Sequence, residues 1–137
     1  MFEVIKSVPW QAYEYPISIA ELRSATKDMD RILSEDERHK LTDYLAFNPE
    51  CGDVIPGGQG IRKYRWPYRE KGKSGGLRVI YYYHDLNMPL YILAVYSKGE
   101  VLRLSKREEL EMGKLVKELV REHARRNLLQ VSAGEPA

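Results

Sequence analysis

Two apolar runs constrain this chain more than anything else in it. Residues 77–84 (LRVIYYYH) and 90–97 (LYILAVYS) are dense in Val, Ile, Leu and Tyr, the residue types that suit a pleated, half-buried surface. The short stretch between them, residues 85–89, carries Asp85, Asn87 and Pro89, which favour a turn. The pattern predicts an antiparallel hairpin. The second run is apolar on both faces, as expected of a strand that is central in its sheet or well covered.

The flanking segments read differently. Residues 17–22 suggest a short first strand. Ala25, Met29, Ile32 and Leu33 recur at helical spacing behind Ser24, a candidate N-cap. Ser34 with Glu37 forms a capping-box pattern for a second helix, with Leu41, Tyr44 and Leu45 on its apolar face and Asn48-Pro49 as its stop. Residues 52–60 are rich in Gly and Pro and read as a loop. Residues 61–66 read as a strand of basic and aromatic residues, and residues 67–76 as a basic loop. Ser105 and Glu108 open a last helix predicted to run to about Arg126, with a frayed tail beyond. The order is that of an α+β fold: a mostly antiparallel twisted sheet, an N-terminal helical hairpin and a C-terminal helix, with helices on one sheet face and the other face open. The predicted organisation is an extension over residues 1–15, one domain over 16–126 and a flexible tail over 127–137.

A length of 137 residues with 43% hydrophobic content suits one packed domain. No apolar run reaches bilayer-spanning length, and residues 1–10 lack the basic and apolar blocks of a signal peptide. A cytoplasmic protein without membrane partners is expected. The single cysteine, Cys51, excludes an internal disulfide framework.

Charge is unevenly distributed. Residues 1–60 hold 6 Lys/Arg against 11 Asp/Glu, whereas residues 61–137 hold 16 against 9. Residues 60–80 alone hold 7 basic side chains and 1 acidic one, which suggests a polyanionic partner for one face; a solvated surface is the alternative. Lys63 and Arg65 have period-two spacing and share a sheet face, and Arg78 joins them if the two strands pair. Arg62 points the other way or bends with the edge. Lys71 and Lys73 add charge in the loop, and Tyr64, Trp66 and Tyr68 interleave with the cations as base-stacking residues do.

Other chemistries fit poorly. Gly72-Lys73-Ser74 imitates the end of a phosphate-binding loop, but position 67 is Pro and a strand, not a helix, follows. His39, His84 and His123 share no ligand spacing, so no metal is expected.

Three blocks carry a resemblance: Asn48-Pro49 through Gly52-Asp53 to Pro56-Gly57; Gly60-Ile61-Arg62-Lys63-Tyr64-Arg65-Trp66; and Gly72-Lys73 with Gly75-Gly76-Leu77-Arg78 to Tyr82. With Tyr96-Ser97-Lys98-Gly99-Glu100 they resemble the HigB-type branch of the RelE toxin superfamily, over about residues 16–122. The resemblance implies a microbial RNase fold and ribosome-dependent cleavage of mRNA by 2′-hydroxyl attack on the adjacent phosphodiester. It also implies a cognate antitoxin and no cofactor. By strand position it gives Lys63, Arg65, Arg78 and Lys98 the catalytic roles; Arg62, Tyr64, Lys71 and Lys73, members of the basic and aromatic cluster, are expected to hold RNA. Gly99 stands where that branch has Asn, and no tyrosine follows Tyr96, which leaves Tyr96 as the candidate substitute for the family's C-terminal tyrosine, although a strand tyrosine is more often core. A catalytically weak RNA-binding or antitoxin-binding module of the same fold is the alternative.

Overall fold

A computed structural model describes residues 16–67, 69–70, 73–74, 76–97 and 105–134. The elements run β1 (Ile19–Glu21), α1 (Arg23–Ile32), α2 (Glu35–Phe47), β2 (Asp53–Val54), β3 (Ile61–Trp66), β4 (Arg69–Glu70), β5 (Lys73–Ser74), β6 (Leu77–Tyr82), β7 (Leu90–Ser97) and α3 (Lys106–Gly134). The chain is α+β. Five strands form one mixed sheet in the order β1-β7-β6-β3-β2, and β4 and β5 pair separately as a two-stranded ribbon. The β6–β7 hairpin therefore lies at the centre. β1 joins β7 in parallel, Ile19 opposite Leu90, while the other three pairings in the sheet are antiparallel.

Alternation along the strands sorts the side chains. Leu77, Val79 and Tyr81 of β6 and Leu90, Ile92 and Val95 of β7 pack with Ala25, Met29, Leu33, Leu41 and Leu45 of the two N-terminal helices. Burying a side chain of this size contributes roughly 1.5–3 kcal/mol, so this one cluster supplies much of the drive to fold. A β-bulge between Ile80 and Tyr81, with Leu93 as the extra residue of β7, shifts the β6–β7 register by one residue and keeps both Val95 and Ile92 on the helix side.

The helix ends differ in mechanism. Ser34 Oγ accepts the Glu37 N–H at 3.2 Å, as its sequence predicts. Ser24 does not cap α1; it sits inside the first turn, and the extended Leu22 precedes the helix without a side-chain cap. Thr26 instead donates to Glu21 Oε1 at 2.7 Å, and Arg38 of α2 reaches the same carboxylate at 2.6 Å and pairs with Asp30. This network ties β1 to both helices. Ser105 and Glu108 form a reciprocal capping box, at 3.0 and 3.1 Å. The helix they open is a unit of its own and continues to Gly134, eight residues beyond the predicted end at Arg126. Pairs such as Arg121–Glu118 and Arg125–Glu122 line its surface, and the first Pro after it is Pro136.

Two further expectations need correction. Among residues expected only to form loops, Asp53–Val54 adds an edge strand beside β3, and residues 69–70 and 73–74 pair as β4 and β5. The sheet face away from the helical hairpin is not open over its middle, because Ile61, Ile80 and Tyr82 on that face are 2%, 0% and 7% exposed. These apolar side chains alternate with the helix-side set, which is why β6 is buried on both faces.

The Tyr81 hydroxyl fastens the loop after α2 to the sheet. It donates to the Pro49 carbonyl at 2.8 Å and accepts the Gly52 N–H at 2.8 Å. Gly52 is required by this approach, since a Cβ there would lie 2.9 Å from the Tyr81 ring. Tyr81→Phe leaves a buried donor and a buried acceptor unpaired. It should lower unfolding stability by about 2–6 kcal/mol, from roughly 1–3 kcal/mol for each orphaned group. Urea denaturation with an unchanged m-value is the check.

Candidate functional site

The β3–β6–β7 register builds a row of polar side chains on the face away from the helical hairpin. Arg65 stands directly opposite Arg78, and Arg78 directly opposite Tyr96. One step along the strands, Lys63 faces Ile80 and, on its other side, Asp53 of β2. Because antiparallel partners share a face, Lys63, Arg65 and Arg78 come together on one surface. Lys63 and Arg65 are exposed, and Arg78 is half-buried between flanking strands.

Two features make this row unusual for a passive surface. Like charges directly opposite each other on a sheet are destabilising. Moreover, Arg78 Nη1 is buried and has no hydrogen-bond acceptor. A buried donor on a charged group costs several kcal/mol when unpaired, so an arrangement of this kind is suited to receive an anion. A guanidinium presents two parallel N–H donors, a geometry that matches phosphate or carboxylate oxygens.

Arg62 and Tyr64 lie on the opposite, helix-side face. Arg62 Nη1 donates to the Gly52 carbonyl at 2.7 Å and the Glu50 carbonyl at 3.3 Å, and Nη2 lies 3.9 Å from the Glu50 carboxylate. It is engaged in holding the loop that Tyr81 also holds. Tyr64 stacks on Tyr44 of α2 at 5.7 Å and 21°, with Trp66 tilted against the same ring at 5.6 Å. Burial, reinforced by a hydrogen bond with Tyr44, pushes the Tyr64 phenol well up from its ordinary value. The exposed member of this group is Tyr44. Lys73 stands on β5 opposite Glu70, whereas Lys71, Tyr68 and Lys98 fall outside the described residues.

The register also adds two residues to the row: Tyr96, which the sequence offered only as a substitute for a family tyrosine, and Asp53, which it did not single out. Tyr96 enters the row through pairing with Arg78, a consequence of hairpin register that composition alone does not fix. Asp53 brings a carboxylate beside Lys63, but a two-residue strand leaves no periodic signal. Elsewhere, burial raises the Cys51 thiol against a lowering contribution from Tyr81, whose hydroxyl lies 3.6 Å away; a thiol held protonated is a poor nucleophile. His84 Nδ1 is 3.1 Å from the Tyr82 hydroxyl. Among the described residues no three His, Cys, Asp or Glu side chains gather as a metal site needs, and no helix is long and apolar enough to cross a membrane. The sequence matches no family model.

The two faces predict opposite mutational signatures. Arg62→Ala should lower stability by about 1–2 kcal/mol through the two lost carbonyl contacts, and leave polyanion binding unchanged. Arg65→Ala should raise the unfolding midpoint slightly by removing the repulsion with Arg78, and reduce the salt slope for single-stranded RNA by about 0.7, the value for one phosphate contact. Thermal melts and salt-dependent anisotropy separate the two.

Proposed function

We propose that the chain is an RNA-directed endonuclease of the RelE/HigB type, a toxin that cuts mRNA on the ribosome and is held in check by a cognate antitoxin. The observation that carries this reading is the Arg65–Arg78 pairing beside Lys63, with a buried Arg78 N–H that lacks an acceptor. Cations gathered on one sheet face suit the phosphates of RNA, and the sequence blocks around them resemble those of that family.

In the proposed reaction the ribose 2′-hydroxyl gives its proton to a solvent water as its oxygen attacks the adjacent phosphorus. The bond from phosphorus to the 5′-oxygen then breaks, leaving a 2′,3′-cyclic phosphate and a 5′-hydroxyl. The pentacoordinate phosphorane carries more negative charge than the starting diester, so a guanidinium placed against it stabilises the transition state selectively. Arg78 takes this part. Lys63 is the better proton donor for the leaving 5′-oxygen, because an ammonium releases a proton far more readily than a guanidinium. Arg65 holds the second phosphate oxygen. Tyr96 stands opposite Arg78 in the same row.

The antitoxin would cover the cationic face with an acidic segment, and its affinity should then fall as salt rises. The reading rests on catalysis at Arg78. Arg78→Ala should slow single-turnover cleavage of mRNA on programmed ribosomes by on the order of 100-fold, the scale for losing one preorganised donor. Ribosome binding should fall much less, and Arg78→Lys should recover part of the rate. Wild-type rates in Arg78→Ala would remove Arg78 from the chemistry. Retained RNA binding without any cleavage by the wild-type chain would favour an RNA-binding module instead.

A further inference from the structure

Gly76 adjoins the cationic row and has no role in the reading above. It immediately precedes Leu77, which pairs with Trp66, so it occupies the same face of β6 as Arg78, two residues before it. It is buried. A Cβ built on Gly76 would lie 2.7 Å from Arg65 Cγ and 2.8 Å from Arg65 Nε, and 3.1 Å from the Trp66 carbonyl oxygen. The Arg65 side chain therefore crosses the strand directly over the Gly76 α-carbon.

The atoms in conflict decide the consequence. Cγ and Nε are the base and middle of the side chain, not its flexible tip. Relieving the overlap requires a different staggered rotamer near the root, and such a change swings the guanidinium as a whole. The present path also has an electrostatic logic. Arg65 and Arg78 stand directly opposite each other, and two parallel side chains there would bring their charges together. Leaning across Gly76 separates the two side chains while keeping both on one face. Arg78 Nη1, on the same face, is left without an acceptor.

We propose that Gly76 is a positioning residue. Its missing side chain lets Arg65 lie across β6, and so sets the spacing of an Arg65–Arg78 clamp that receives the two non-bridging oxygens of one phosphate group. As a statement about RNA the proposal rests on the function proposed above; as a statement about phosphate it does not. Gly76 touches no substrate and acts through Arg65.

The test is a double-mutant cycle on the full chain, with Gly76→Ala, Arg65→Ala and the combination. Inorganic phosphate is titrated while the Nε–Hε resonances of Arg65 and Arg78 are followed by NMR. An uncleavable 2′-O-methyl RNA oligonucleotide is then titrated by fluorescence anisotropy. In the wild type, phosphate should shift both arginine resonances together. In Gly76→Ala the Arg65 resonance should move before any phosphate is added and lose its response, and affinity should fall about tenfold, the scale of one charge-assisted hydrogen bond. The combined variant should bind no more weakly than Arg65→Ala alone and should unfold near it.

Four outcomes overturn the proposal: wild-type affinity and both responses retained in Gly76→Ala; an equal further loss when Gly76→Ala is added to Arg65→Ala; a combined variant that does not fold; or no phosphate response at either arginine in the wild type. A wild type whose arginines answer phosphate but which does not bind the oligonucleotide keeps the clamp and removes RNA as its ligand.

Discussion

The pairing of β3 with β6 is the constraint on which the rest depends. Strand side chains alternate with period two, so one register decides both faces at once. With Tyr64 opposite Val79 and Trp66 opposite Leu77, the aromatic residues join the helical hairpin, and Lys63, Arg65 and Arg78 share the opposite surface. A slip of one residue would turn the cations into the core and leave them uncompensated, at a cost no local rearrangement could offset. The Tyr81 hydroxyl and the Arg62 guanidinium hold this register from the helix side by fixing the Pro49–Gly52 backbone against β3 and β6.

The same register concentrates charge in a way that folding alone does not reward. Arg65 opposite Arg78 is repulsive, and the buried Arg78 N–H has no acceptor. The core on the other side of the sheet is large enough to carry such a cost. A fold that stabilises itself on one surface can keep an unsatisfied cationic row on another, available to an anion whose arrival satisfies it. Electrostatic groups set in place before the charge arrives need no reorganisation when it does. The structure and the proposed chemistry meet in this property.

Much of this was legible in the sequence, and the boundary has physical causes. The central hairpin was readable because β-branched and aromatic residues dominate it. The caps at Ser34 and Ser105 were readable because a hydroxyl followed three residues later by Glu is a local signal. The shared face of Lys63 and Arg65 followed from spacing alone. What escaped depends on contacts between distant segments. The parallel pairing of β1 with β7, the structural use of Arg62, the clasp at Tyr81 and the space above Gly76 have no period to read. Burial of Ile80 and Tyr82 on the second face escaped for a related reason, since alternation says which residues share a face but not what becomes of that face. The roles implied for Lys71 and Lys98 fall outside the described residues.

The cationic row is proposed to cut RNA. The most direct measurement is transcriptome-wide mapping of 5′-hydroxyl RNA ends in bacteria after induced expression of the chain, read together with growth. An RNA-cutting toxin should cause growth arrest accompanied by new 5′-hydroxyl ends within translated regions of mRNA, lost when ribosomes are cleared from those regions. Unimpaired growth with no new ends, or cuts indifferent to translation, would contradict it.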